Sequence, residues 1–279
     1  METRVTSDQA LYLYGIIADA ARLPAECAAV EDGTLLDVIA ASGIACVVSA
    51  VTMRDYQSPV TGRNAAEQLA WVTPRALRHH EVVRRLHAAT TVVPLKFGTL
   101  CSGVADVRAM LTEHAEPISA LLREFDGKDE WSLTIRVDTS RVTDTLAHND
   151  STLIALGADE HLLTDGRAYF QRKKRQQRLA DLLAAHVADT TASVYARVAQ
   201  HVDAFAHENT AASGAALLVD RSRFDDLSIC LATLEAEQSA SGLALELRGP
   251  WAPYSFVNGR ADCWELTPGS GIDSRARAH

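Results

Sequence analysis

Leu11-Tyr-Leu-Tyr-Gly-Ile-Ile17 is a run of aromatic and aliphatic residues with Tyr12 and Tyr14 two positions apart. Such a composition suits a pleated strand, and its two-residue period puts both phenol rings on one face. Ile44-Ala-Cys-Val-Val-Ser-Ala-Val51 has the same character and reads as a second strand. Between them, Thr34 to Ala41 is expected to give only a short helix. Thr91-Val-Val-Pro-Leu-Lys-Phe-Gly98 is β-prone, but Pro94 cannot donate to a ladder, so this strand belongs at an edge or a bulge. Glu130-Trp-Ser-Leu-Thr-Ile-Arg-Val137 alternates strictly, with Trp131, Leu133, Ile135 and Val137 on one face, and reads as the last strand of the same sheet.

Helical patterns separate these strands. Asn64 can cap a helix whose third interior position is Glu67, and Thr73-Pro74 is expected to start another that runs to about Ala89. In that helix Leu77, Val82, Val83 and Leu86 form the buried stripe, with His79, His80, Arg84 and Arg85 beside or opposite it. Asp106 to Glu124 reads as a further helix through Val107, Met110, Leu111, Ile118, Leu121 and Leu122. The element order over residues 11–137 predicts an α+β fold, with a ferredoxin-like N-terminal domain over residues 10–138.

Residues 139–166 carry no long pattern and read as a junction. A smaller helical and α+β C-terminal domain is expected over residues 167–267. It opens with a helical region from Arg167 to Glu208, either one helix or a hairpin broken near Asp189 to Ala192. Strands at Ala215–Val219 and Leu243–Arg248 then flank a helix from Arg223 to about Ser239. There are no clear internal repeats, and the polar tail 268–279 is expected to fray.

The 279 residues fit two domains of about 150 residues each. With 47% hydrophobic and 23% charged residues, the composition is that of a folded chain. Twenty-seven Lys and Arg against 36 Asp and Glu leave a net charge of -9, which argues against a broad nucleic-acid footprint and against attraction to anionic lipid. No run of about 18 apolar residues is present, and Met1 to Ala10 carry both charge signs with no apolar stretch, so a cytosolic protein is expected. The five cysteines are scattered and never spaced as CxxC, which speaks against structural zinc or a disulfide framework.

Catalytic motifs are missing from the sequence. Adjacent His79 and His80 on a helix point about 100° apart and cannot share one ion. Gly98-Thr-Leu-Cys-Ser-Gly103 lacks the lysine of a phosphate loop, and neither GxGxxG nor GxSxG occurs. No cofactor, metal or catalytic residue is therefore expected. An enzyme would have to use a polar pocket near Cys101, with Lys96, Glu81 and Asp106 closest in sequence.

Two stretches stand out as candidate protein-binding surfaces. Arg167, Arg172, Lys173, Lys174, Arg175 and Arg178 place six positive charges within twelve residues with no acid among them. They are either a solvated helix start or a docking site for an acidic protein. Gly249-Pro-Trp-Ala-Pro-Tyr-Ser-Phe-Val257 is stiffened by two prolines and holds Trp251, Tyr254 and Phe256, as a seal on the second sheet or as an exposed anchor. The helix face around His80 and Arg84 is a third choice.

Leu11-Tyr-Leu-Tyr-Gly-Ile, His80-Glu-Val-Val-Arg-Arg-Leu, Thr91-Val-Val-Pro-Leu-Lys-Phe-Gly-Thr99, Gly166-Arg-Ala-Tyr-Phe-Gln-Arg-Lys-Lys174 and Gly249-Pro-Trp-Ala-Pro-Tyr-Ser-Phe-Val257, in that order, resemble the gas vesicle protein F/L family. The resemblance spans about residues 10–257. It implies a two-domain cytoplasmic protein, gas vesicle associated and without enzymatic activity or cofactor. Its implied partners are the small hydrophobic shell protein of the vesicle and other accessory proteins.

Overall fold

The computed structural model describes residues 9–19, 21, 23, 27–57, 64–158, 165–207, 214–238 and 242–258, and the tail 268–279 lies outside them. The chain divides into two compact units, Met1–Glu130 with Pro250–His279, and Trp131–Gly249. The fold is mixed α+β, with one sheet in each unit.

The first sheet is built on β1 (Gln9–Ala18), whose residues 10 to 17 are all buried. A strand buried on both faces must lie inside a sheet with a layer on either side. Around it are β2 (Asp37–Ala41), β3 (Ile44–Thr52), β4 (Val92–Pro94) and β5 (Leu100–Cys101), in the order β2-β3-β1-β4 with β5 also on β1. All these pairings are antiparallel. The helices are α1 (Met53–Gln57), α2 (Ala65–Ala89), α3 (Val104–Glu113) and α4 (Ala115–Phe125). Tyr12, Tyr14 and Ile17 share a core with Val82, Val83 and Leu86 of α2. The register of β1 against β3 shifts between Leu13 and Gly15, and this bulge explains why Ile17 rather than Ile16 joins the tyrosine face.

Four local expectations are corrected. Residues 37–41 form a strand and not a short helix. Ser42 (φ 54°) and Gly43 (φ 80°) are both left-handed, which makes a two-residue hairpin turn onto β3. Pro74 starts no new helix but lies within the 25 residues of α2, which begins at the expected Asn64–Glu67 capping box. Ala70, whose carbonyl loses its donor to Pro74, is exposed, as is Pro74, so water can satisfy that carbonyl. With this phase Leu77 is 65% exposed, whereas His79 is only 3% exposed and takes the core position. The helix expected at 106–124 is two, meeting at His114. Pro117 would clash with a preceding turn, and it sits instead in the first turn of α4, where a missing N–H costs nothing.

The second unit contains most of β6 (Lys128–Val137), then α5 (Thr139–Asn149), α6 (Ser151–Ala158), α7 (Asp165–Val198), β7 (Ala204–His207), β8 (Gly214–Asp220), α8 (Phe224–Glu237) and most of β9 (Leu243–Trp251). Its sheet order is β7-β8-β6-β9. The alternating strand at 130–137 therefore belongs to the second sheet and does not close the first. Leu133 and Ile135 pack with Val194 and Val198 of α7 and with Leu227, Leu231 and Leu234 of α8. The stretch 139–158 is helical rather than patternless. Asp138 caps α5, accepting hydrogen bonds from the backbone of Ser140 and Arg141. Helix α7 runs 34 residues without a break, about 50 Å, and stops at Val198, so residues 204–207 are strand and not helix.

Both sheets place their strands in the sequence order second, third, first, fourth, although the amino-acid sequence shows no repeat. In each, a hairpin pair is followed by a helix, α2 or α8, that carries the chain past the first strand to the far edge.

Gly15 tests the packing at the bulge, because a Cβ there would lie 2.7 Å from Val92 Cγ2 and 3.1 Å from the Val93 carbonyl oxygen. Gly15→Ala is expected to cost on the order of 1–3 kcal/mol and lower the thermal midpoint by several degrees. An unchanged melting curve would contradict this close approach of β1 and β4.

Candidate protein-binding surface

The basic cluster occupies the first turns of α7. At about 100° per residue its six side chains wrap around the helix instead of forming one face. Arg178 pairs with Asp150 at 3.1 Å, and Asp150 also accepts from the Leu153 backbone N–H at 2.8 Å. These contacts, the Leu153 hydrogen bond first, hold the Asp150 carboxyl below its ordinary range. Arg175 is half-buried, and a Cβ on Gly157 would lie 3.6 Å from its Cζ, so the glycine lets the guanidinium lie against α6. Arg167, Arg172, Lys173 and Lys174 are exposed.

Further along the same helix runs a feature the sequence reading missed. Ala180, Ala184, Ala188 and Ala192 recur every four residues, and all are exposed. With Leu183, Val187, Thr191, Tyr195 and Thr139 of α5 they line an open apolar groove of about 800 Å³. Its signal was the alanine period, which a search for large apolar residues passes over.

The aromatic stretch has a different fate. Ala252 and Tyr254 join the core of the first unit, Phe256 is 7% exposed, and Trp251 is half-buried at the end of β9. The short helix α9 (Tyr254–Asn258) is pinned at its start by Glu130. That carboxylate accepts from the Ser255 backbone N–H at 2.7 Å and from Ser255 Oγ at 2.8 Å. The sheet it seals is thus the first and not the second.

Tyr254 reaches His79, the centre of a buried polar network. His79 Nε2 lies 3.1 Å from the Leu95 carbonyl oxygen, which only accepts, so Nε2 carries the proton. Nδ1 is then the acceptor for Tyr12 Oη at 3.0 Å, and that oxygen accepts from the Gly98 N–H at 3.0 Å. Tyr254 Oη lies 3.4 Å from Nε2, and the Tyr14 ring stacks on the imidazole at 5.6 Å. Burial pulls the His79 pKa down to about 4 and pushes the Tyr12 phenol up.

His80 is exposed one position away, while Arg84 grips Glu81 through two nitrogens at 2.7 and 2.8 Å. With Arg84 first and Arg85 second, these bonds hold the Glu81 carboxyl down at about 2. Near the sequence alternative for a catalytic pocket, burial pushes the Cys101 thiol up, the direction opposite to an activated nucleophile, and Lys96 is exposed. Among the described residues no group of three or more His, Cys, Asp or Glu could hold a metal ion, and no helix is long and apolar enough to cross a membrane.

The family model described as gas vesicle synthesis protein GvpL/GvpF matches residues 10–258. The chain belongs to the GvpL/GvpF family. It is 27% identical over 226 residues to gas vesicle protein L of Streptomyces sp. (strain CB03234), covering 77% of this chain and 80% of that protein. It is also 27% identical over 186 residues to gas vesicle protein F of the same strain, covering 65% and 76%. Crystal structures of GvpF from Anabaena sp. PCC7120 and from Microcystis aeruginosa share the fold, with TM-scores of 0.62 and 0.61 at 17% and 16% identity. The alignments cover 89% and 88% of this chain and 95% and 98% of those. Membership makes the GvpL/GvpF-family chain a non-catalytic accessory or structural protein of the gas vesicle.

The His79 site gives this protein an acid-sensitive core. In the unfolded chain the imidazole protonates near pH 6.5, but in the folded chain only near pH about 4. Stability from this group is full above about pH 6.5 and falls by on the order of 3 kcal/mol as the pH drops toward 4. His79→Gln is expected to be less stable at neutral pH and to lose less stability over that window, as measured by denaturant midpoints at several pH values. Parallel wild-type and mutant curves would show that His79 is not held neutral.

Proposed function

We propose that this chain acts in gas vesicle assembly by binding other proteins, namely the small hydrophobic shell protein or fellow accessory proteins, in the cytoplasm. The observation that carries the reading is the family match over residues 10–258, nearly the whole described chain. A shell subunit with a large apolar face has to be kept from aggregating before it assembles, and that task calls for a binding surface instead of a catalytic cleft. We place the electrostatic part of that surface on Arg167, Arg172, Lys173 and Lys174, which are exposed on an otherwise acidic molecule. Arg175, Arg178 and Arg84 lie against or pair with neighbouring groups of their own unit, and Tyr254 and Phe256 are packed into the first unit. These five, with the half-buried Trp251 and with His80, are secondary candidates. The strand order β2-β3-β1-β4 supports reading the first unit as a ferredoxin-like sheet, with no helix between β1 and β2 among the described residues.

A pull-down from cells expressing the vesicle gene set tests the reading. Recovery of identified shell or accessory proteins at low and moderate salt is expected, and recovery of none would overturn it. Lys173→Glu with Lys174→Glu should leave the thermal midpoint nearly unchanged while slowing association and flattening its salt dependence. Unaltered association at two salt concentrations would refute the basic docking site.

A further inference from the structure

We propose that the alanine-floored groove of α7 is the seat for one amphipathic helix of a partner protein, laid along α7 with its acidic end over Tyr169–Lys174. The inference rests on the protein-binding reading above and assigns it a surface and a ligand geometry. Side chains four apart line up as one ridge of a helix, and when all four are alanine the partner backbone can approach closely. From Ala180 to Tyr195 the groove is about 22 Å long, the length of a helix of about 15 residues. Leu183 and Val187 are half-exposed in its wall and are not part of the core cluster of their unit, so covering them removes apolar surface from water.

Charge decides what kind of helix fits. At about 100° per residue Lys173 lies on the same line as Ala180, Ala184 and Thr191. Toward the N-terminus of α7 the groove therefore runs into a positive end, and residues 166 to 180 contain no acid. Tyr169 and Phe170, 57% and 71% exposed with ring centroids 5.8 Å apart, stand at that end as anchors. At the other end Arg197 is paired with Glu237 at 3.1 Å. An acidic end over Lys173 fixes the direction of the incoming helix and offsets the repulsion expected from a chain of net charge -9. A second copy of this chain does not meet that demand. Parallel pairing of two α7 helices superimposes their basic ends, and antiparallel pairing centred on Ala184 sets Lys173 beside Ser193 to Arg197, which include no acid.

The test uses the full chain expressed with the vesicle gene set, carrying a photo-crosslinking amino acid at Ala184, or as control at exposed Asp189 on the opposite side of α7. The expected product joins Ala184 to a helical segment of an identified vesicle protein with acidic residues at one end, and the Asp189 probe gives none. Ala184→Arg should weaken recovery of that protein by about tenfold or more with an unchanged melting curve, since the position is exposed. A crosslink to a second copy of the chain would overturn the proposal, as would equal yields at Ala184 and Asp189. Recovery of vesicle proteins by the wild type, with Ala184→Arg folded and binding as well, would overturn the groove alone and leave the protein-binding reading intact. Recovery of no vesicle protein even by the wild type would overturn both.

Discussion

Two phenol hydroxyls buried on the central strand of the first sheet have to be satisfied by protein, because no water reaches them, and meeting that demand ties the unit together. Tyr12 Oη accepts from the Gly98 backbone and bonds to His79 on α2. Tyr14 Oη accepts from the Val30 backbone at 2.7 Å and shares a hydrogen bond with Ser49 of β3 at 2.9 Å. One strand is thereby fastened to a helix, to its neighbouring strand and to two loops. Each bond contributes only about 1 kcal/mol when made, but leaving one of these groups unpaired would cost about 1–3 kcal/mol. Glu31 extends the same fastening, holding Arg75 of α2 through two bonds at 2.8 and 3.0 Å and accepting from Tyr56 at 2.9 Å.

The sequence blocks that carry the family resemblance are in large part the pieces of this network. Tyr12 and Tyr14 lie in the first block, Leu95 and Gly98 in the third and Tyr254 in the last, while His79 stands immediately before the second. Blocks far apart in sequence thus meet at one imidazole. The Gly166–Lys174 block is the exception, since it opens α7 in the second unit. Its exposure fits a role in binding more than in folding.

Strands β1, β3 and β8 and the cap at Asn64 were legible because their signals are local: short apolar runs and an Asn–Glu pair three apart. Where the sequence reading failed, a longer-range or smaller cause won. Strand β2 exists because a Ser-Gly turn lets residues 37–41 pair with β3, overriding their weak helical character. His79 reads as polar and therefore exposed, yet the phase of an unbroken α2 puts it inside, where the tyrosines need it. Strand β6 was recognised from its alternation, but its sheet was not, because alternation fixes which face is buried and says nothing of the neighbouring strand. The α7 groove was passed over for the opposite reason: the four-residue alanine period stands in the sequence, but alanine side chains carry no chemistry that draws attention to it.

The claim on which most of this depends is that His79 is neutral, protonated on Nε2 and accepting from Tyr12 on Nδ1. Nitrogen-15 NMR of imidazole-labelled protein at pH 6 reads this directly, since bare, protonated and cationic ring nitrogens resonate apart. The account predicts a neutral His79 with Nε2 protonated and Nδ1 bare, and conversion to the imidazolium only near pH about 4. A charged ring at pH 6, or a proton on Nδ1, would contradict it.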